Sequence, residues 1–144
     1  MKLDHILVPY DGSEPSRRAY HFAADLAKKY HAHVTAVTCI QEDYYEPDTI
    51  TPEELRSSQN LQNVAATKLL STLEVAAKGV GVDFKGQVLS TPSIVDGLLS
   101  YAEKNGVDLI VMGSRGLGGF KKLLLGSVAS GISHYSKCPV LITK

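Results

Sequence analysis

Strand-like and helix-like segments alternate along this chain, and that alternation limits its fold more than any other feature. Ile6–Val8 is a short continuous apolar run that stops at Pro9, as expected of a buried strand. Apolar residues then recur at helical spacing before Val34–Cys39 returns to β-branched, strand-like character. The pattern continues as β-α-β-α-β-α-β-α-β. Strands that alternate with helices pair in parallel through right-handed crossovers, which predicts a three-layer α/β/α fold.

Capping residues and apolar spacing set the expected bounds of the helices. Ser13 is a natural N-cap for the first helix, Thr91 followed by Pro92 for the third, and Ser127 for the fourth. The second helix is expected to begin near Glu53, after a polar loop from Gln41 to Pro52. The core-facing stripes are expected to be Ala19, Phe22, Ala23, Leu26, Ala27 and Tyr30, then Leu61, Val64, Ala65, Leu69, Leu73 and Ala76, then Ile94, Val95, Leu98, Leu99 and Ala102, and finally Val128, Ile132 and Tyr135. The other strands are expected at Val82–Leu89, Asp108–Met112 and Pro139–Thr143.

Size and charge exclude several classes of protein. A chain of 144 residues predicts one domain, spanning 1–144. Lys and Arg total 15, and so do Asp and Glu, so no charge excess favours nucleic acid or an anionic membrane surface as a partner. The longest apolar runs are too short to cross a bilayer. Two cysteines cannot build a disulfide framework, which predicts a reducing, cytoplasmic setting.

Residues with binding chemistry follow the first and fourth predicted strands. Asp11 lies just after the first strand, and Gly113 and Gly116 follow the fourth. After nine intervening residues, Gly126 and Ser127 open a helix. Glycines allow close approach of the backbone to a ligand, and a helix N-terminus favours an anion. Because ligands of parallel sheets bind at the carboxyl ends of strands, this pattern predicts a nucleotide site, with the carboxylate at the ribose and the amides at the phosphates.

The pattern is not one of the common nucleotide-binding motifs. No GxxxxGK[ST] string occurs, because Gly119 and Phe120 follow Gly118 where the lysine would be needed. No GxGxxG follows the first strand either, which disfavours a dinucleotide site. A nucleotide would therefore be held by a different glycine loop.

Three separated strings resemble the universal stress protein family in its ATP-binding branch: ILVPYDGSEPSRRA, MGSRGLGGFKKLLLGSVA and KCPVLITK. The resemblance covers the chain in order and is weakest from about Gln41 to Gly81. It implies a five-stranded parallel sheet of order 3-2-1-4-5, as in adenine nucleotide alpha hydrolase-like folds. It also implies a homodimer, and ATP held without a Walker motif.

The same resemblance implies a role for each site residue. Asp11 would hold the ribose, Pro9 and Tyr10 would line the adenine side, and the backbone at Cys39 would meet the adenine edge. Tyr10 is bulkier than the residue expected there and could stack on the base or crowd it. The positions implied at the ribose and phosphates are Met112, Gly113, Arg115, Gly116, Gly126, Ser127 and Val128, and Ser13 and Ala129 complete the predicted set. Mg²⁺ would be held mainly by the phosphates, and no metal ligands are expected from the protein.

Plainer roles remain open for these residues. The glycines could be turn residues, Asp11 a turn or helix-start acid, and Ser127 only an N-cap. Lys121 and Lys122 fit solvated charges, and Tyr44 with Tyr45 could form a partner surface, a lid or neither. His31 and His33 have no acid or cysteine at ligand spacing beside them, which disfavours a metal site.

The last strand and the site together define the candidate functions. Pro139–Thr143 is expected at a sheet edge, where pairing with a second copy would cover it and form a homodimer. No nucleophile–base pair stands near the loop, so the leading hypothesis is a nucleotide-dependent regulatory module that binds ATP. The alternatives are a slow ATPase or adenylyl-transfer enzyme using Asp11, Arg115 and Ser127, a sensor of AMP, ADP or cyclic AMP, and an interaction protein without nucleotide.

Overall fold

The structure is a computed structural model that describes residues 2–42, 48–116 and 125–144. Its elements in chain order are β1 (His5–Pro9), α1 (Glu14–Tyr30), β2 (His33–Gln41), α2 (Pro52–Val80), β3 (Asp83–Thr91), α3 (Ile94–Lys104), β4 (Leu109–Gly113), α4 (Ser127–Tyr135) and β5 (Val140–Thr143). The predicted alternation of strands and helices is therefore confirmed. The predictions made for Tyr44, Tyr45, Lys121 and Lys122 have no structural outcome, because these residues lie outside the described ranges.

The five strands form one parallel sheet of order β3-β2-β1-β4-β5, which confirms the predicted fold class. β1 lies at the centre, and its side chains alternate between two faces of the sheet. Ile6 and Val8 face α1 and α2, whereas Leu7 faces α3 and α4. Each face is covered by two helices, so the central strands are buried on both sides, as the unbroken apolar runs predicted.

Side-chain caps start three of the helices, with one correction to the prediction. Ser13 caps α1 as expected, and its Oγ accepts a hydrogen bond from the Ser16 N–H at 3.3 Å. Thr51 caps α2 in a capping box with Glu54. The predicted cap Thr91 is wrong, because that residue still belongs to β3. Ser93 caps α3 instead, and the Thr91 hydroxyl donates to the Ser93 carbonyl at 2.8 Å.

The predicted core stripes were only partly right in three helices. The members buried as predicted are Ala19, Ala23, Ala27, Leu73 and Ile132. Phe22 and Tyr30 of α1 are exposed, and Tyr20 is buried in their place. In α2 the predicted Leu61 and Val64 are exposed, as are Ala65 and Ala76, whereas the buried residues are Ala66, Leu70, Leu73 and Ala77. Tyr135 of α4 is exposed rather than inward.

The length of α2 explains why Leu61 and Val64 lie outside the core. The helix has 29 residues, whereas the longest strands have nine. At about 1.5 Å per helical residue and about 3.3 Å per strand residue, α2 outruns the sheet by roughly 13 Å. Its first buried residue is Ala66, so the apolar side chains before that point lie beyond the core.

None of the helices in the described ranges is long and apolar enough to span a membrane. β3 and β5 are the two edge strands, which confirms the edge position predicted for the last strand. β5 is short and begins at Val140, one residue after the predicted start.

Candidate functional site

A cavity of about 530 Å³ lies at the carboxyl ends of the central strands. β1 and β4 are neighbours in the sheet although they are not consecutive in the chain, so their ends form the point where strand order reverses. This is the usual ligand position in an open parallel sheet. The volume falls in the range of about 300–1,000 Å³ that is typical of small-molecule sites.

The fold brings together every predicted site residue except one. The predicted residues in the cavity wall are Pro9, Tyr10, Asp11, Cys39, Met112, Gly113, Arg115, Gly116, Gly126, Ser127, Val128 and Ala129. The exception is Ser13, which does not line the cavity and is buried as the cap of α1. Its hydroxyl is engaged by the first turn of that helix, where Ser16 reaches the wall instead.

Five lining residues were missed by the sequence reasoning: Ser16, Val37, Ile94, Leu98 and Ser114. Val37 could have been found, because it precedes Cys39 by two positions in β2 and so faces the same side of the sheet. Ile94 and Leu98 lie one helical turn apart on α3. Nothing in their local sequence indicates that α3 packs against β2 and β3 beside the cavity, since that is a tertiary relationship.

Asp11 is fixed between two backbone segments. Its Oδ1 accepts a hydrogen bond from the Ser13 N–H at 2.9 Å, a turn that the left-handed Gly12 (φ 82°) permits. On the other side, a Cβ atom added to Gly116 would stand 2.7 Å from the Asp11 Oδ2. The carboxylate therefore lies directly against the backbone that follows β4.

Gly113 allows β4 to pass close to the start of α1. A Cβ atom on Gly113 would lie 2.6 Å from the Pro15 Cβ and 2.7 Å from the Pro15 carbonyl carbon. The space is filled by backbone as well as by side chain, so a larger residue here requires movement of α1. The glycine is needed for packing of the wall, whatever the cavity holds.

Backbone hydrogen bonds tie the two ends of the 114–126 connection together. The Gly126 N–H donates to the Ser114 carbonyl at 2.6 Å, and the Ser114 N–H donates to the Thr143 carbonyl of β5 at 2.7 Å. The start of α4 is thereby held beside the end of β4, although twelve residues separate Ser114 from Gly126.

The N-terminus of α4 is exposed towards the cavity without a side-chain cap. Gly126 is the N-cap residue and no side chain in the described ranges caps it, so the predicted capping role of Ser127 is wrong. Ser127 is the first helical residue, and it lines the cavity with Val128 and Ala129. The first N–H groups of a helix have no partner within the helix and carry the positive end of its dipole. This geometry suits an anion.

The inner wall of the cavity is largely apolar. Val37, Leu98 and Met112 belong to the core cluster beneath α3 and α4, and Cys39 packs against it. Burial raises the pKa of the Cys39 thiol to about 11, so the group is protonated at neutral pH and behaves as a small apolar side chain.

Tyr10 lines the cavity, but its side chain belongs to the core cluster beneath α1 and α2. Tyr10 is only 5% exposed, and it packs in the core cluster beneath α1 and α2 with Tyr20 and Leu70. Pro9 precedes it with the opposite orientation, as alternation along an extended segment requires. The bulk of Tyr10 therefore fills the core on the other face of the sheet.

A five-stranded parallel sheet with a small-molecule cavity at its switch point defines a doubly wound α/β protein with a candidate ligand site. The chain belongs to the universal stress protein family, whose family model matches residues 2–144. Universal stress protein YxiE of Bacillus subtilis is 32% identical over 145 residues, with 96% of this chain and 97% of that protein covered.

Solved structures agree with this assignment. The universal stress protein UspA from Lactobacillus plantarum matches with a TM-score of 0.84 at 22% identity, covering 100% of this chain and 99% of that one, which supports the fold alone. A universal stress protein solved in complex with cAMP matches with a TM-score of 0.71 at 27% identity, covering 99% of this chain and 98% of that one.

Proposed function

We propose that this protein binds an adenine nucleotide, preferably ATP, in the cavity at the switch point and acts as a nucleotide-dependent regulatory module. The observation that carries the proposal is the uncapped start of α4, which opens into the same cavity as the apolar wall at Cys39. One end of the cavity suits phosphate and the other suits a base. The related protein solved with cAMP supports an adenine ligand for this family.

The phosphates would lie at the α4 N-terminus. The N–H groups of Ser127, Val128 and Ala129 point along the helix axis towards the cavity, and Arg115 of the wall contributes positive charge. The other three helices all begin with a side-chain cap, at Ser13, Thr51 and Ser93. The contrast supports an external anion as the group that satisfies α4.

The backbone of β2 would recognise the base through hydrogen bonds. The Val37 carbonyl accepts from the Tyr10 N–H at 2.8 Å, just past the end of β1. Backbone groups of alternate strand residues point the same way, so the N–H and C=O of Cys39 face the side on which β1 has ended. Adenine donates from N6 beside an acceptor nitrogen, whereas guanine presents an acceptor there. The N–H and C=O of Cys39 can therefore pair with the acceptor nitrogen and the N6 amino group of adenine.

The ribose would be held by Asp11 between these two ends. Its Oδ1 accepts from the Ser13 N–H, and its Oδ2 faces the backbone at Gly116. A carboxylate accepts charge-assisted hydrogen bonds from sugar hydroxyl groups. The proposal has Mg²⁺ held mainly by the phosphates of ATP. Within the described ranges no group of three or more His, Cys, Asp or Glu residues could hold a metal.

Calorimetric titrations test this assignment. We expect ATP to bind with 1:1 stoichiometry, GTP to bind at least about tenfold more weakly, and AMP and cyclic AMP to lose the contribution of the outer phosphates. Equal affinity for ATP and GTP would contradict the base assignment, and equal affinity for ATP and AMP would contradict the phosphate assignment. Omission of Mg²⁺ tests its role with the same ligand.

The Asp11→Asn variant isolates the ribose contact. Asparagine retains an oxygen for the Ser13 N–H, so the turn is preserved, but the negative charge is lost. We expect ATP affinity to fall about tenfold and the affinity for 2′,3′-dideoxy-ATP to change little. An equal loss for both nucleotides would show that Asp11 acts on the site without contacting the ribose.

Product analysis separates a regulatory module from an enzyme. We expect ATP to remain intact over many binding lifetimes, and turnover near about 10 per second would contradict the proposal.

The same proposal includes one domain over residues 1–144, a cytoplasmic location and a homodimer through β5. The single continuous sheet supports the first, and the short apolar edge strand supports the last.

A further inference from the structure

Two histidines stack at the amino-terminal edge of the sheet, on the side opposite to the cavity. His5 begins β1 and His33 begins β2, and the two residues are partners in the parallel register. Their ring centroids lie 4.0 Å apart with an angle of 25° between the planes. Two protonated imidazoles at this separation would repel each other strongly.

The hydrogen bonds of His5 are all satisfied when the ring is neutral. Its Nδ1 lies 3.1 Å from the carbonyl oxygen of Asn105, which can only accept, so Nδ1 carries the hydrogen. Its Nε2 lies 2.8 Å from the Thr35 Oγ1, and in the neutral ring with hydrogen on Nδ1 it accepts from that hydroxyl. These bonds join β1 to β2 and to the end of α3.

A second proton on His5 would have no favourable place. Thr35 is 1% exposed and His5 is 7% exposed. Protonation at Nε2 would force the Thr35 hydroxyl to turn its hydrogen away in a buried site. Burial is the largest cause that lowers the pKa of His5, and the neighbouring His33 adds to it.

Some charged groups on the surrounding elements favour a proton on His5 and others oppose it, so together they do not remove the free-energy cost of protonating it. Asp108, before β4, and the Asn105 carbonyl favour a proton on His5, whereas Lys85 of β3 and His33 oppose it. The Asp108 Oδ2 is itself engaged by the N–H groups of Asp4 and His5. The Asp4 Oδ2 lies 3.5 Å from the Lys2 Nζ, and Asp83 of β3 is the register partner of His33.

We propose that the stacked His5–His33 pair makes the sheet sensitive to acid. While the protein is folded, the pair holds at most one proton. Binding of a second proton breaks the hydrogen bonds that join His5 of β1 to Thr35 and Asn105. The unfolded chain has no such restriction, so unfolding takes up a proton in mildly acidic solution. The histidine pair is remote from the cavity, and this inference does not depend on the nucleotide proposal.

The sign of the effect follows from the lowered pKa of His5 in the folded protein. A histidine held neutral stabilises the fold fully above the unfolded pKa of about 6.5 and loses that contribution as the pH falls through it. The unfolding equilibrium constant should then rise by up to about tenfold for each unit of pH below that point. Carboxyl groups contribute only at lower pH.

Urea unfolding between about pH 7.5 and about pH 5.5 tests the proposal. We expect the urea midpoint of the wild type to fall across this range and that of His5→Gln to fall much less, since glutamine cannot take up a proton. His21→Gln is the matched control, because His21 is an exposed histidine of α1, and it should keep the wild-type slope. An unchanged slope in His5→Gln would overturn the proposal.

Imidazole NMR titration of the folded wild type gives a test that needs no variant. We expect the His5 ring to titrate below the ordinary histidine value of about 6.5, because burial lowers its pKa. In His33→Gln the opposing ring is gone, so the His5 titration should move to higher pH. A His5 ring that titrates at or above about pH 6.5 in the intact fold would contradict the proposed role of the histidine pair.

Discussion

The Asp11 carboxylate and the Gly116 backbone lie in direct contact, since a Cβ atom on Gly116 would stand 2.7 Å from the Asp11 Oδ2. Two loops that are far apart in the chain therefore meet at the middle of the cavity. Asp11 is anchored on the other side by the Ser13 N–H, so it cannot turn aside freely. This contact makes the position of the carboxylate dependent on the absence of a side chain at residue 116.

The Gly116→Ala variant should weaken ATP binding by about tenfold, equivalent to about 1.4 kcal/mol, because its methyl group displaces the Asp11 carboxylate. Urea unfolding should be nearly unchanged, since the displaced atom is the end of a side chain. Gly79→Ala is the control, because its Cβ atom meets nothing within 4 Å. That change should leave ATP binding intact and add up to about 1 kcal/mol of helix stability. Unaltered ATP affinity in Gly116→Ala would show that Asp11 does not contribute to nucleotide binding.

Gly113→Ala is expected to behave differently, with a loss of stability rather than a selective loss of binding. Its methyl group would meet the Pro15 backbone at 2.7 Å, and backbone cannot move away cheaply. We expect the free energy of unfolding to fall by about 1–3 kcal/mol, as measured by urea unfolding. A variant as stable as the wild type would show that α1 shifts easily at Pro15.

The Cys39 thiol should react slowly and with an unusual pH dependence. Burial raises its pKa to about 11, and only the thiolate is alkylated. In a Cys138→Ser background, the alkylation rate should rise about tenfold per pH unit without levelling off near pH 9, whereas the same thiol in urea should level off near its ordinary pKa of about 8.5. Saturating ATP should slow the native reaction further. A rate in the folded protein that levels off near pH 8.5 would contradict the buried position.

The edge of β5 can be tested without disturbing its pairing to β4. The carbonyls of Pro139 and Thr143 accept from β4, so the backbone groups of Ile142 point to the outer edge. Ile142→Pro removes one outward N–H and should convert the proposed homodimer to a monomer in light scattering. Ile142→Ala loses comparable packing but keeps the N–H, and it should remain dimeric. A wild-type monomer at micromolar concentration would contradict the dimer itself.

The sequence was sufficient for the fold because local and global signals agree. The unbroken run at Ile6–Val8 and the cap at Ser13 each predicted an element that the structure contains. The site was largely predictable for a related reason. In a parallel sheet the residues that follow β1 and β4 must lie at one edge, so Asp11 and Gly113 are brought together by topology alone.

What could not be predicted depends on how far elements extend and how they pack. The apolar residues Leu61 and Val64 have helical spacing, yet α2 projects past the sheet and leaves them exposed. Ile94 and Leu98 enter the cavity wall because α3 packs over it, and no local pattern records that contact. The prediction that Thr91 caps α3 was wrong because β3 extends through that residue.

An NMR titration of the isotope-labelled protein with MgATP tests the central claim most directly, because each backbone amide reports its own surroundings. We predict saturable shifts at Cys39, Gly113 and the first turn of α4, with the amides of His33 and Asn105 at the opposite edge unaffected. GTP at the same concentration should produce smaller shifts at Cys39. No saturable change at millimolar MgATP, or changes confined to residues away from the cavity, would contradict the account.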